Sequence, residues 1–136
     1  MSNATVRVAL ETRLKRIAST LNPVPPIAYQ NAAFEKPTSG VWLECFVIPS
    51  ATVDRGVQAQ SKTYLGMFQI NVWIQRGIGM GAAESIVDKI IAGFPSAVKD
   101  QKYAKLTISG VSEGASLDDT SGWVATPVLV TYRYDS

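Results

Sequence analysis

Phe68-Gln-Ile-Asn-Val-Trp-Ile-Gln75 decides the fold. Phe68, Ile70, Val72 and Ile74 fall on one face, and Gln69, Asn71, Trp73 and Gln75 on the other, the period-two signature of a strand with one face on a core. The segment runs through Gly77-Ile-Gly-Met-Gly81 into a helical stripe of Ala83, Ile86, Val87, Ile90, Ile91 and Phe94, stopped by Pro95. Strand, glycine turn and amphipathic helix therefore follow one another directly.

Upstream, Val41 to Ile48 reads as another strand that ends at Pro49. Val41, Leu43, Cys45 and Val47 lie on one face and Trp42, Phe46 and Ile48 on the other, so both faces are expected to be covered, with Glu44 interrupting the second. Ser50 to Lys62 is polar, with a turn at Asp54-Arg-Gly56, and reads as a connection unusually long for a hairpin. Before it, Ile27 to Asn31 is a short strand candidate and Glu35 to Gly40 has turn chemistry. At the N-terminus, Val6, Leu10, Leu14, Ile17 and Leu21 make the apolar stripe of a helix closed by Asn22-Pro23 and Pro25-Pro26. Arg13, Lys15 and Arg16 read as its solvated surface.

Downstream, Lys99 to Lys105 is a charged connector, Leu106 to Val111 a strand, and Glu113 to Gly122 turn-rich. Trp123 to Tyr134 is the last strand, and Pro127 within it predicts an edge or a bulge. The order is α-β-β-β-α-β-β. The expected architecture is α+β, one domain over residues 1–136, with a mostly antiparallel or mixed sheet and both helices on one face.

Composition narrows the chemistry. Histidine is absent, which removes the commonest neutral-pH acid/base and metal ligand. The single cysteine, Cys45, allows neither an intramolecular disulfide nor a multi-cysteine zinc site. A net charge of +2 without a clustered basic stripe argues against a dedicated nucleic-acid binder. No apolar run reaches bilayer-spanning length, and Met1-Ser-Asn-Ala lacks the features of a signal peptide, so a cytoplasmic site of synthesis and no membrane partner are expected.

Two constellations invite an enzymatic reading. The loop Gly77-Ile-Gly-Met-Gly-Ala-Ala places its third glycine one position too early for a dinucleotide fingerprint, and no Gly-Lys-Ser/Thr follows for a P-loop. Asp118-Asp119 with Glu113 lacks the oxygen spacing of a calcium loop. No serine sits in Gly-x-Ser-x-Gly. No catalytic, cofactor or metal residue is therefore assigned, and a nucleotide-binding enzyme using Gly77–Gly81 stands as the alternative from another class.

Val6-Arg-Val-Ala-Leu-Glu, Tyr29-Gln-Asn-Ala-Ala-Phe34, Val41-Trp-Leu43 leading to Ile48-Pro49, and Tyr64-Leu-Gly-Met-Phe-Gln-Ile-Asn-Val72 follow in an order and spacing that resembles the phage tail terminator-like family. The resemblance covers most of the chain. It continues through the Gly77–Gly81 loop, Ile91-Ala-Gly-Phe-Pro95, and Trp123 before a strand ending Tyr132-Arg-Tyr134. It implies a non-enzymatic virion protein, assembled in the host bacterial cytoplasm and located in the tail. Such a protein forms a homo-oligomeric, typically hexameric, ring that caps the tail tube, ends its polymerisation and offers a surface to the head-side connector protein. DNA would pass through the lumen. A head–tail connector or tail-tube protein is the structural alternative. Interface residues are expected at Asp54, Arg55, Gly56 and Val57 in the polar connection, and at Gln69, Asn71 and Trp73 on the polar strand face.

Overall fold

The computed structural model describes residues 3–21, 24–38, 40–55, 61–94, 106–118 and 122–135. The alternating segment is β3, Ser61–Gln75, and its apolar residues are buried as the pattern requires: Phe68, Ile70 and Val72 expose no surface. β2, Trp42–Arg55, pairs with it antiparallel from Trp42↔Trp73 to Arg55↔Ser61. On the other side β3 pairs antiparallel with β6, Trp123–Asp135, from Gln75↔Trp123 to Thr63↔Asp135. The register stacks Cys45, Ile70 and Val128 in one row and Val47, Phe68 and Val130 in the next. These rows form the sheet side of the core.

The polar stretch after Pro49 is strand as far as Arg55, not the loop that its composition suggests, and strand resumes at Ser61; residues 56–60 lie outside the described segments. Two features explain the difference. Leu43 and Val47 send their N–H groups outward, to Pro26 O and Gln30 Oε1. Pro49, two residues further on, therefore directs its missing donor at the open edge, where no ladder bond is lost. A register shift between Pro49 and Ala51 then lets pairing resume. Residues 50–53 are exposed because this arm runs beyond the core, and so they carry no apolar alternation.

The remaining strands are β1, Ile27–Ala28, parallel to β2; β4, Leu106–Glu113, antiparallel to β6; and β5, Leu117–Asp118, also on β6. The sheet order is β1-β2-β3-β6-β4. β6 is thus interior, yet Pro127 sits where its neighbour changes. Its carbonyl accepts from Gly114 N just past the end of β4, so its donor-less nitrogen faces the gap between β4 and β5.

Both helices, α1 (Asn3–Ala18) and α2 (Gly81–Gly93), cover the apolar face. Val6, Leu10 and Leu14 of α1 and Ala83, Val87 and Ile90 of α2 are fully buried. They cross closely at Gly93, where a Cβ would stand 2.4 Å from Ile17 Cδ1. Arg13 is not part of a solvated face as the sequence suggests: its Nε donates to Gly93 O at 2.7 Å and its guanidinium lies 5.8 Å from the Phe94 ring centre. Carbonyls in the last turn of a helix lack intrahelical donors and attract cations, which draws this arginine in. Lys15 and Arg16 are exposed.

Candidate functional site

The face of the sheet opposite the helices carries the most organised polar chemistry. Because β2 and β3 pair in the register Glu44↔Asn71 and Trp42↔Trp73, the polar residues of β3 meet Glu44 of β2. Glu44 Oε1 accepts from Asn71 Nδ2 at 3.0 Å and from Trp73 Nε1 at 3.1 Å. Gln69 Nε2 donates to Asn71 Oδ1 at 2.9 Å. Three of the expected interface residues, Gln69, Asn71 and Trp73, thus form one fixed network, and its hub is a glutamate that the sequence pattern marks only as an interruption.

An aromatic stack adjoins the network. Trp42 lies flat on Trp73, ring centres 5.2 Å apart and planes 6° from parallel. Phe34 stacks on Trp42 at 5.2 Å, and Trp123 meets Trp42 edge-on at 6.2 Å. The Lys36 ammonium lies 5.6 Å from the Trp123 ring centre, and Gln75 Nε2 donates to Thr38 O at 3.1 Å. The segment around residues 34–38 is thereby held across one end of this face. Trp42 itself is 7% exposed, and its Nε1 finds no acceptor among the described residues. Toward the hairpin end the same face is open: Phe46, Met67 and Leu129 are half-buried and Ile48 is exposed.

Of the other expected interface residues, two fall on the described part of β2. Asp54 and Arg55 are at the end of β2, opposite Lys62 and Ser61, away from the Glu44 network. Gly56 and Val57 lie outside the described residues. The Gly77–Gly81 loop serves a reversal: Gly77 and Gly79 have φ of +92° and +86°, conformations that favour glycine. Helix α2 begins without a side-chain cap and has Glu84 in its first turn, which repels rather than attracts an anion there.

No group of three or more metal-ligating side chains occurs among the described residues, and none of their helices is long and apolar enough to cross a membrane. Cys45 is buried, and burial, with Glu11 next in importance, pushes its thiol up to about 12. Burial likewise raises the Tyr29 and Tyr132 hydroxyls above their ordinary values. Each of these shifts favours the neutral, unreactive form.

A family model described as phage tail terminator protein matches residues 5–132. A solved chain with 30% sequence identity superposes with a TM-score of 0.78, covering 98% of this chain and 96% of the other. No curated protein matches the chain. With the family match running from the start of α1 into β6, this chain belongs to the phage tail terminator family and is a structural component of the phage tail.

Proposed function

We propose that the protein closes into a homo-oligomeric ring, hexameric in the finished tail, that caps the tail tube, ends its polymerisation and presents a surface to the head-side connector protein. Family membership carries this reading, and the sheet supplies a physical means. Its two borders are β4 on one side and, beyond the two residues of β1, the outer half of β2 on the other. Three successive antiparallel pairings make β2 and β4 run in opposite directions. Edge strands present unpaired backbone donors and acceptors. Set side by side in successive subunits, these two edges can pair antiparallel, and a head-to-tail contact of that kind closes into a ring when the rotation permits.

The hairpin end, with Asp54, Arg55, Gly56 and Val57, is assigned to contacts between subunits or with the tube. Gln69, Asn71 and Trp73 form a preorganised surface for a neighbour. The modest net charge of +2 lets DNA pass through a lumen without strong retention. Assembly takes place in the host bacterial cytoplasm.

Electron microscopy of the protein mixed with tail-tube subunits tests the proposal. Single rings at tube ends with arrested growth are expected, whereas long cylinders of this protein alone would make it a tube protein instead. Deleting Val53–Gln60 should leave a folded monomer that no longer caps, and normal capping by the deleted form would sink the assignment of the hairpin.

A further inference from the structure

A cavity of about 360 Å³ opens on the outer face beside the β1–β2 edge. Its walls include Tyr29, Phe34, Trp42 and Phe46, with Glu44 among them and Lys36 at its rim. Asn31, which adopts the left-handed conformation at φ 56°, bends the lining segment around it. Gln30 fixes that segment to the body, because its Oε1 accepts from Arg7 Nη1 at 2.7 Å and from Val47 N at 3.0 Å.

We propose that this cavity receives the guanidinium of an arginine presented by a partner chain. Glu44 is incompletely bonded. Both donors that reach it, from Asn71 and Trp73, end on Oε1. Oε2 has no donor among the described residues, nor does Glu44 have an ion-pair partner there. A half-buried carboxylate gains most from a charge-assisted bond, and a cation supplies one. The wall beside it is aromatic. A guanidinium is planar and weakly hydrated and stacks on aromatic faces, so one side chain satisfies the acid and the rings together. An ammonium, strongly hydrated and without a flat face, fits less well. Lys36 does not fill the role, because its ammonium is drawn over Trp123. The proposal is independent of ring closure and holds for any tail partner that presents an arginine.

The Trp73 indole is a built-in reporter, since its N–H is bonded to Glu44. The full chain is titrated with N-acetyl-arginine methylamide at constant ionic strength while the indole N–H resonances are followed by NMR. A saturable displacement of the Trp73 signal is expected. The neutral citrulline analogue should bind at least about tenfold more weakly. Glu44→Gln keeps an oxygen for Asn71 and Trp73 but loses the charge, so it should fold normally and lose about tenfold or more in affinity for the arginine probe. The lysine analogue should fall between the two. No saturable displacement in the wild type, equal binding of citrulline, or undiminished affinity in a folded Glu44→Gln variant would each overturn the proposal.

Discussion

Gly66 is where an added methyl group should do the greatest harm. It lies in β3 on the core side, opposite Pro49 of β2 and Tyr132 of β6. Tyr132, 1% exposed, folds across the space that a side chain would fill, an arrangement in which an aromatic ring covers a strand glycine. A Cβ at residue 66 would stand 2.6 Å from Ile48 O, 2.6 Å from Tyr132 Oη and 2.8 Å from Tyr132 Cζ. The first neighbour is backbone in a paired strand and the other two belong to a fully packed ring, so neither yields cheaply. Overpacking of this kind costs about 3 kcal/mol at its upper range. Replacing a strand glycine recovers roughly 0.5–1 kcal/mol of backbone entropy. Gly66→Ala should therefore lose about 2 kcal/mol, and at roughly 4 °C per kcal/mol for a domain of this size the melting point should fall by about 8 °C. Urea titration followed by circular dichroism gives the free energy, and calorimetry the melting point. Gly81→Ala is the control: nothing lies within 4 Å of its Cβ position, at the start of α2, and it should be neutral or stabilising. Tyr132→Phe should be close to neutral, because the hydroxyl it removes has no partner among the described residues. Combined with Gly66→Ala it should restore only part of the loss, since Ile48 O remains in the way. A Gly66→Ala protein as stable as wild type would refute the packing argument.

Trp42→Ala should cost about 3–5 kcal/mol, the range for removing a buried large aromatic, because it unstacks Phe34, Trp73 and Trp123 at once; urea unfolding of the purified variant measures it. Trp42→Phe should cost less than its lost volume implies, since it also removes a buried N–H with no acceptor among the described residues. Cys45 should resist a thiol reagent at pH 8 until the protein unfolds, with a labelling rate that follows global opening in denaturant. Its raised value also sets a pH dependence. The folded thiol titrates near 12 against an ordinary 9.0, so between those values the unfolded chain binds fewer protons and stability falls as pH rises. Cys45→Ala should flatten the part of the decline that begins near pH 9, leaving the part above pH 10 that Tyr29 and Tyr132 contribute.

The helical stripes and the alternation of β3 are legible in the chain because each depends on local periodicity. Val6, Leu10 and Leu14 declare a buried face without knowledge of what buries them, and so do Phe68, Ile70 and Val72. The hairpin arm was hidden for the converse reason. Residues 51–53 pair with β3 while exposed, so no hydrophobic pattern marks them as strand, and Pro49 looks like a terminator unless its edge position is known. Glu44 depends on register. As a single residue it breaks an apolar face, and only the pairing Glu44↔Asn71, with Trp73 one step along, turns it into the acceptor for two donors. Arg13 is hidden in the same way, because its partner carbonyl at Gly93 is 80 residues away.

These placements bear on how one thin sheet serves an assembly. In the proposed ring a subunit must keep its shape while neighbours pull on its edges, and the helices lock only one face of this sheet. The other face is stiffened by means that leave it available: a carboxylate shared by two cross-strand donors, and a stack of rings fastened by Lys36 and by the Gln75 bond to Thr38. Bonds among Gln69, Asn71, Trp73 and Glu44 reduce the side-chain freedom that a neighbour would otherwise have to immobilise on binding, an ordering cost of about 0.5–1.5 kcal/mol per mobile side chain. Trp73 would then matter for a different reason from the one its type suggests. Held against Trp42 and bonded to Glu44, it would serve the proposed interface less as a free anchor than as the piece that fixes the surface.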